Sequence, residues 1–426
     1  MTSLKNKTIT GLLWGFIDNF SNQGILFIVG IILARLLEPY EFGLIAMIMI
    51  FITLSESFIN SGFSQALIQK KDCNNIDFST VFYFNIVTAF IFIMILYFTA
   101  PFISIFFQEP QLTLIIRVIG TVLLFDALSI VQRTILTRNI DFKLQAKISI
   151  IASLLSGIIA VIMAYLGYGV WSLVVKIISQ KTINTILLWQ WNKWRPQAVF
   201  SSKSFSKLFP FGSKLLVRGL LETIYQNIYY LIIGKYFSAY ELGYYTRADQ
   251  FQKLPSSNIS GVINKVSYPV LSKLQDNKMR LKSAFKKLVT STMLISFVFM
   301  FGLAAIAEPL IISLIGEKWA PSIIYLQLLC FVGVQYPINA INLNLLQAKG
   351  RSDLILRLEI IKRILAIPVI ILGLYFGINM MIIGMIVFSA FIFFMNSYWA
   401  EEFVDYSGLA QLINSFKSFM IASVVS

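Results

Sequence analysis

From about residue 11 to residue 399 the chain is a near-continuous series of apolar runs. A helix crossing a bilayer core needs about 20 such residues, and these runs are long enough. In hydrocarbon every backbone N–H and C=O has to be satisfied within the protein, so a spanning chain folds as helices or as a closed barrel. The runs are continuous rather than alternating, which argues against a transmembrane β-barrel. Composition agrees: 57% of the residues are apolar and 13% charged, about half the charge of a soluble domain. The expected fold class is an all-α polytopic membrane protein.

Helices are expected at 11–34, 41–66, 79–105, 112–134, 144–166, 169–191, 208–234, 241–267, 284–307, 320–346, 354–375 and 378–399. A polar stretch from Glu401 to Asp405 follows. A further apolar segment begins near Leu412 and reaches Ser426, too short to span, and reads as an incomplete thirteenth helix. At the other end Lys5 and Lys7 precede an apolar run with no small-residue cleavage site. A retained first helix is expected there, not a removed signal peptide. Cys73 and Cys330, the two cysteines, are too far apart to form a motif and read as free.

The net charge is +15 with no histidine. In a soluble protein that excess would suggest nucleic acid, but here it is topological, and no nucleic-acid partner is expected. Lys70 and Lys71 follow the second helix, Arg133, Arg138, Lys143 and Lys147 surround the end of the fourth, and Lys193, Arg195, Lys203 and Lys207 follow the sixth. Basic groups also follow the eighth and tenth helices, while the alternate connections carry little beyond Arg35, Lys235 and Lys318. Lysine and arginine concentrate on the cytoplasmic side. The chain is therefore expected in the bacterial cytoplasmic membrane with its N-terminus on the cytoplasmic side and its even-numbered helices ending on that side.

Two segments 200 positions apart are alike: Arg35 through Pro39-Tyr40-Glu41-Phe42-Gly43, and Lys235 through Ala239-Tyr240-Glu241-Leu242-Gly243. With the hydrophilic stretch 192–207 as linker, the chain divides into a six-helix lobe at 1–191, a second at 208–399, and a tail at 400–426. Six is even, so the repeat is expected to be parallel, about an axis along the membrane normal, as in secondary transporters. Ser55-Glu56-Ser57 and Pro255-Ser256-Ser257 also lie 200 apart and are expected to interrupt the second and eighth helices. Paired interruptions of this kind point toward a binding region.

Ionisable groups within spans are costly and mark functional sites. Asp18, Glu56 and Asp126 are candidates for proton or sodium coupling, Glu56 and Asp126 being equally readable as quiet neutral carboxyls. Lys214, Arg218 and Glu222, spaced by four, share one face of the seventh helix. With Lys181 they are the expected cavity wall, suited to an anion such as pyrophosphate through charge-assisted hydrogen bonds. Plainer readings stand beside these: Asp18 and Arg218 as a structural ion pair, Lys214 snorkelling to the interface, Lys181 lying at the interface. Lys176, Arg247 and Asp249 are secondary candidates, the last two equally readable as interface charges. Tyr225, Tyr229 and Tyr230 could stack on sugars. With no histidine and no P-loop glycine pattern, neither a metal site nor an ATP-driven motor is expected, no cofactor is implied, and the chain does not read as an enzyme.

Several stretches resemble the Wzx-type polysaccharide transporters, close to the colanic-acid branch. They are Ala34 through Met47, Ser61-Gly62-Phe63-Ser64-Gln65-Ala66 through Asp72, Tyr268-Pro269-Val270-Leu271 through Asp276, and Gly316-Glu317-Lys318-Trp319-Ala320-Pro321. The resemblance implies the multidrug/oligosaccharidyl-lipid/polysaccharide flippase fold, with two six-helix lobes around a V-shaped, commonly cationic cavity. It implies an undecaprenyl-pyrophosphate-linked oligosaccharide as substrate, moved by alternating access for lipopolysaccharide, capsule or exopolysaccharide synthesis. Membrane lipids, a polysaccharide polymerase and chain-length machinery would be its partners. A cation-coupled multidrug exporter of the same fold is the alternative, though it would favour an acidic cavity. A membrane-embedded polymerase would need a larger outer loop than any here.

Overall fold

A computed structural model describes residues 4–414 of the chain. Among the described residues, sixteen α-helices follow one another up to Val404: α1 Leu4–Leu36, α2 Pro39–Asn60, α3 Phe63–Gln69, α4 Asn75–Phe107, α5 Leu112–Ile119, α6 Val122–Arg138, α7 Phe142–Tyr165 and α8 Val170–Trp191. Then come α9 Ser202–Tyr236, α10 Ala239–Lys273, α11 Lys278–Ala305, α12 Ala307–Ile315, α13 Ser322–Gly333, α14 Tyr336–Ala348, α15 Ser352–Phe376 and α16 Ile378–Val404. No strand occurs among the described residues. Among the described residues, eight segments are long and apolar enough to cross a membrane by length and composition. α8, α9, α10 and α15 are of similar length but more polar, and the first three carry most of the expected site residues. Residues 408–414 are helical, and the rest of the expected thirteenth helix lies outside the described residues.

Each expected helix is present, but three are broken where continuity was expected. The second divides into α2 and α3, the fourth into α5 and α6, and the tenth into α13 and α14. The α2–α3 break is conformational, since Ser61 and Gly62 both have positive φ, 42° and 67°. Gly62 also lies against α9: a Cβ there would come 2.7 Å from the Gly212 carbonyl oxygen. A Gly62→Ala variant is expected to lose roughly 1–3 kcal/mol from backbone strain and overpacking together. Thermal unfolding of the purified protein checks this, and an unchanged midpoint would contradict it.

The interruptions expected at 55–57 and 255–257 are not there. α2 runs through Ser55-Glu56-Ser57 and α10 through both Pro255 and Pro269. Proline removes one helical hydrogen bond, and near Pro255 serine side chains bond back to the helix. Ser256 Oγ donates to the Gln252 carbonyl at 3.1 Å and Ser257 Oγ to that of Lys253 at 2.6 Å.

Packing divides the chain into two compact units, residues 1–243 and 244–426. In the first, α1 packs on α7, α7 on α8, α4 on α5 and α6, and α9 on α2, α3 and α4. The expected linker at 192–207 does not coincide with the boundary between the compact units, because α9, which follows it, packs with the first unit. Phe63, Phe82 and Leu208 anchor it in a shared core, with the Phe205 ring 5.7 Å from that of Phe63. In the second unit, α11 packs on α13 and α14, and α16 on α13, α14 and α15, around Phe285, Met293, Leu345 and Phe393.

The repeated Tyr-Glu-x-Gly segments both lie in the first unit, and there they touch. α2 begins at Pro39 and α10 at Ala239, and the Tyr40 and Tyr240 rings are 5.4 Å apart. A Cβ on Gly43 would overlap the Ala239 carbonyl oxygen, and one on Gly243 would overlap that of Pro39. The contact is reciprocal at the offset of 200, as a symmetric crossing requires.

Candidate functional site

Three expected site residues meet inside the first unit. α6 packs on both α2 and α8, which brings one charged side chain from each to a common point. Lys181 Nζ on α8 donates to Glu56 Oε1 on α2 at 2.9 Å and to both Asp126 oxygens on α6 at 2.7 and 2.8 Å. Asp126 is buried, with Glu56 and Lys181 half-buried. Fully ionised, the triad carries one net negative charge. Lys181 is thereby committed to two carboxylates, and an anionic ligand could reach it only after one of them had been neutralised or displaced. A cation would have to compete with the Lys181 ammonium for the same two carboxylates. These three bonds show that the Lys181 ammonium is paired within the protein.

Glu56 also borders a cleft of about 390 Å³ between α2–α3 and α9, lined by Thr53, Ser57, Asn60 and Gln65 on one side and Leu215, Gly219 and Thr223 on the other. That is at the small end of ligand-binding cavities. Ser57 Oγ and Thr223 Oγ1 approach to 3.4 Å across it. Lys214, Arg218 and Glu222 do not line this cleft. Helical residues advance about 100° each, so this stripe lies on the neighbouring face of α9. All three are exposed. Glu222 accepts from Gln226 Nε2 at 3.1 Å, whereas Lys214 and Arg218 make no hydrogen bond or ion pair among the described residues.

Asp18 sits in a separate network between α1, α7 and α8. The Ser149 hydroxyl donates to its Oδ1, and so does the Asn22 amide at 2.5 Å. Ser153 Oγ donates to Asn22 Oδ1 at 2.7 Å, and Gln180 Nε2 to Ser153 Oγ at 3.1 Å. The structural ion pair between Asp18 and Arg218 is therefore not formed: neutral donors from its own unit satisfy the carboxylate. The sequence reading missed Asn22, Ser149, Ser153 and Gln180. The available signal was the spacing of four in Asp18/Asn22 and again in Ser149/Ser153, which puts each pair on one helix face.

Lys176 is half-buried on α8. Arg247 and Asp249 are buried in the second unit, at 8% and 5% exposure. The Arg247 guanidinium lies 5.4 Å over the Trp319 ring, a cation–π contact, and Asp249 pairs with Lys253 at 2.7 Å. Tyr225, Tyr229 and Tyr230 are half-buried along α9.

The family described as polysaccharide biosynthesis protein matches residues 32–324. The teichuronic acid biosynthesis protein TuaB of Bacillus subtilis is 25% identical over 83% of this chain and 74% of that protein. The lipopolysaccharide biosynthesis protein WzxC of Escherichia coli is 24% identical over 87% of this chain and 76% of that protein. Among solved structures, the lipid II flippase MurJ in an inward closed conformation matches with a TM-score of 0.76 at 16% identity, covering 97% of this chain and 92% of that one. An inward-facing multidrug resistance MATE family transporter of the MOP superfamily matches at 0.68 and 13% identity, over 96% of this chain and 98% of that one. At those identities the likeness concerns the fold alone, and fold by itself does not choose between lipid-linked and drug substrates.

Proposed function

The chain belongs to the polysaccharide biosynthesis protein family, and on that premise we propose that it is a transporter that carries an undecaprenyl-pyrophosphate-linked oligosaccharide across the cytoplasmic membrane by alternating access. The observation that carries this reading is the contrast between its intrahelical cations. Lys181 is neutralised by two carboxylates. Lys214 and Arg218, one turn apart on α9, are exposed without a counter-charge among the described residues. If α9 lies in the membrane, as this reading takes it to, such groups would face a water-filled path or a charged ligand. A pyrophosphate offers the oxygen acceptors that an arginine fork and a lysine bind by charge-assisted bonds, while the isoprenoid tail stays in the bilayer.

The triad has a different role. A proton or sodium ion arriving at Glu56 or Asp126 would compete with Lys181 for the carboxylates, so occupancy there would loosen α8 from α2 and α6. Asp18 sits among neutral donors and is the separate second candidate for coupling. The basic connections favour an N-terminus on the cytoplasmic side. A polymerase and chain-length machinery would take the delivered substrate on the outer face. The net negative triad supports the runner-up, a cation-coupled drug exporter, and the same experiment separates the two.

Arg218→Ala, produced at normal membrane levels in the native host, is expected to reduce surface polysaccharide about tenfold or more. A charge-assisted hydrogen bond contributes roughly 1.5–3 kcal/mol, and its loss is worth that factor or more in binding. The exposed side chain has no partner to lose, so thermal stability should shift by less than about 0.5 kcal/mol. Undiminished polysaccharide would sink the role given to Arg218, and undiminished polysaccharide on deletion of the whole gene would sink the function.

A further inference from the structure

A second groove lies between α6 and α8, independent of the cleft beside Glu56. It has a volume of about 450 Å³, and its walls include Phe125 and Leu128 of α6, Ile186 and Trp189 of α8, and Arg195 just beyond α8. Hydrogen bonds fix those walls. Thr185 Oγ1 donates to the Phe125 carbonyl at 3.0 Å, Trp189 Nε1 to that of Leu128 at 3.1 Å, and Arg195 Nη2 to that of Trp189 at 2.5 Å. The groove is therefore preformed, with an apolar trough at one end and a basic group at the other.

Its direction matters. The lining positions from Thr182 to Gln190 advance about 12 Å along α8 at roughly 1.5 Å per residue. They lead from the helix middle to the start of the 192–207 stretch, which holds Lys193, Arg195, Lys203 and Lys207 and no acidic residue. Arg195 and Lys193 are exposed. Arg195 lies 5.3 Å over the Trp189 ring and bonds carbonyls through Nη1 and Nη2, which leaves donors of its five for an external acceptor. Trp189 thus forms the apolar wall and holds the cation above it.

We propose that this groove binds an anionic glycerophospholipid, with one acyl chain between Phe125, Leu128 and Ile186 and the headgroup phosphate on Arg195 and Lys193. Basic pockets between membrane helices bind anionic headgroups in this manner. The site also adjoins the charged triad: Phe125 precedes Asp126, and Thr182 follows Lys181. A bound lipid would brace α6 against α8 beside the contact that pairs Asp126 with Lys181.

Native mass spectrometry of the purified full-length protein, titrated with phosphatidylglycerol or phosphatidylcholine, tests the assignment. Phosphatidylglycerol should bind at least fivefold tighter. Arg195→Gln and Lys193→Gln should each weaken it about fivefold, the effect of ~1 kcal/mol per basic residue near the membrane surface. Lys193 makes no hydrogen bond among the described residues, so its variant isolates charge from the structural role of Arg195. Ile186→Trp, at a position 49% exposed, should fill the trough and remove binding while leaving the thermal midpoint unchanged. Equal binding of the two lipids, full binding by Ile186→Trp, or displacement of phosphatidylglycerol by equimolar undecaprenyl phosphate would each overturn the proposal. The last would assign the groove to the isoprenoid tail.

Discussion

Lys181→Ala abolishes transport and lowers stability by about 2–3 kcal/mol, the first of the two largest effects expected here. Removing one partner of a buried ion pair costs roughly 3–5 kcal/mol because the remaining charge is stranded. The smaller figure applies because the Lys181 and Glu56 side chains each keep 30% of their surface accessible. The variant leaves Glu56 and Asp126 facing each other with no cation between them. The expected signature is non-additivity. Asp126→Asn in the Lys181→Ala background should restore part of the lost stability, since groups in one network couple by about 0.5–3 kcal/mol. Thermal unfolding of the four proteins in the cycle measures this. Strict additivity would mean that the triad is not an energetic unit.

The second large effect concerns the crossing of the two repeats. Gly43→Ala and Gly243→Ala each place a methyl group on a backbone carbonyl, that of Ala239 and of Pro39 respectively. A flexible side chain could rotate away, but a carbonyl oxygen moves only with its helix. Overpacking a well-packed site costs typically 1–3 kcal/mol and occasionally more, and this geometry belongs at or above the top of that range. The double variant should cost much less than the sum of the singles, because a first methyl group that parts α2 from α10 makes room for the second. Additive losses would show that the two glycines act at separate places.

The sequence showed the helices because bilayer-length apolar runs leave a chain few alternatives. Their breaks were harder to see. Glu56 and Pro255 look like interruptions in one dimension, yet Glu56 is held by Lys181, and serine hydroxyls bond the helix around Pro255. The real break at Ser61-Gly62 is set by two residues of positive φ, and the close approach of α9 that leaves no room for a Cβ on Gly62 is a tertiary fact. The offset of 200 was legible and gave the repeats, but it also suggested pairing Asp18 with Arg218. Register in a repeat relates equivalent positions; it does not make them neighbours. At Gly43 and Gly243 equivalent segments do meet, because they flank the crossing itself. The candidate residues Lys181, Glu56 and Asp126 were each visible as charges within apolar runs. Their association was not, since the three lie on different helices 55 to 125 positions from one another.

Translocation by the purified protein in sealed vesicles tests the central claim most directly. A fluorescent oligosaccharide on undecaprenyl pyrophosphate is placed in both leaflets, and an impermeant reagent then quenches the outer one. The account predicts that quenching continues beyond the outer-leaflet fraction as labelled lipid crosses, and that Arg218→Ala slows this crossing about tenfold. Quenching that stops at the outer-leaflet fraction, as in protein-free vesicles, would contradict it.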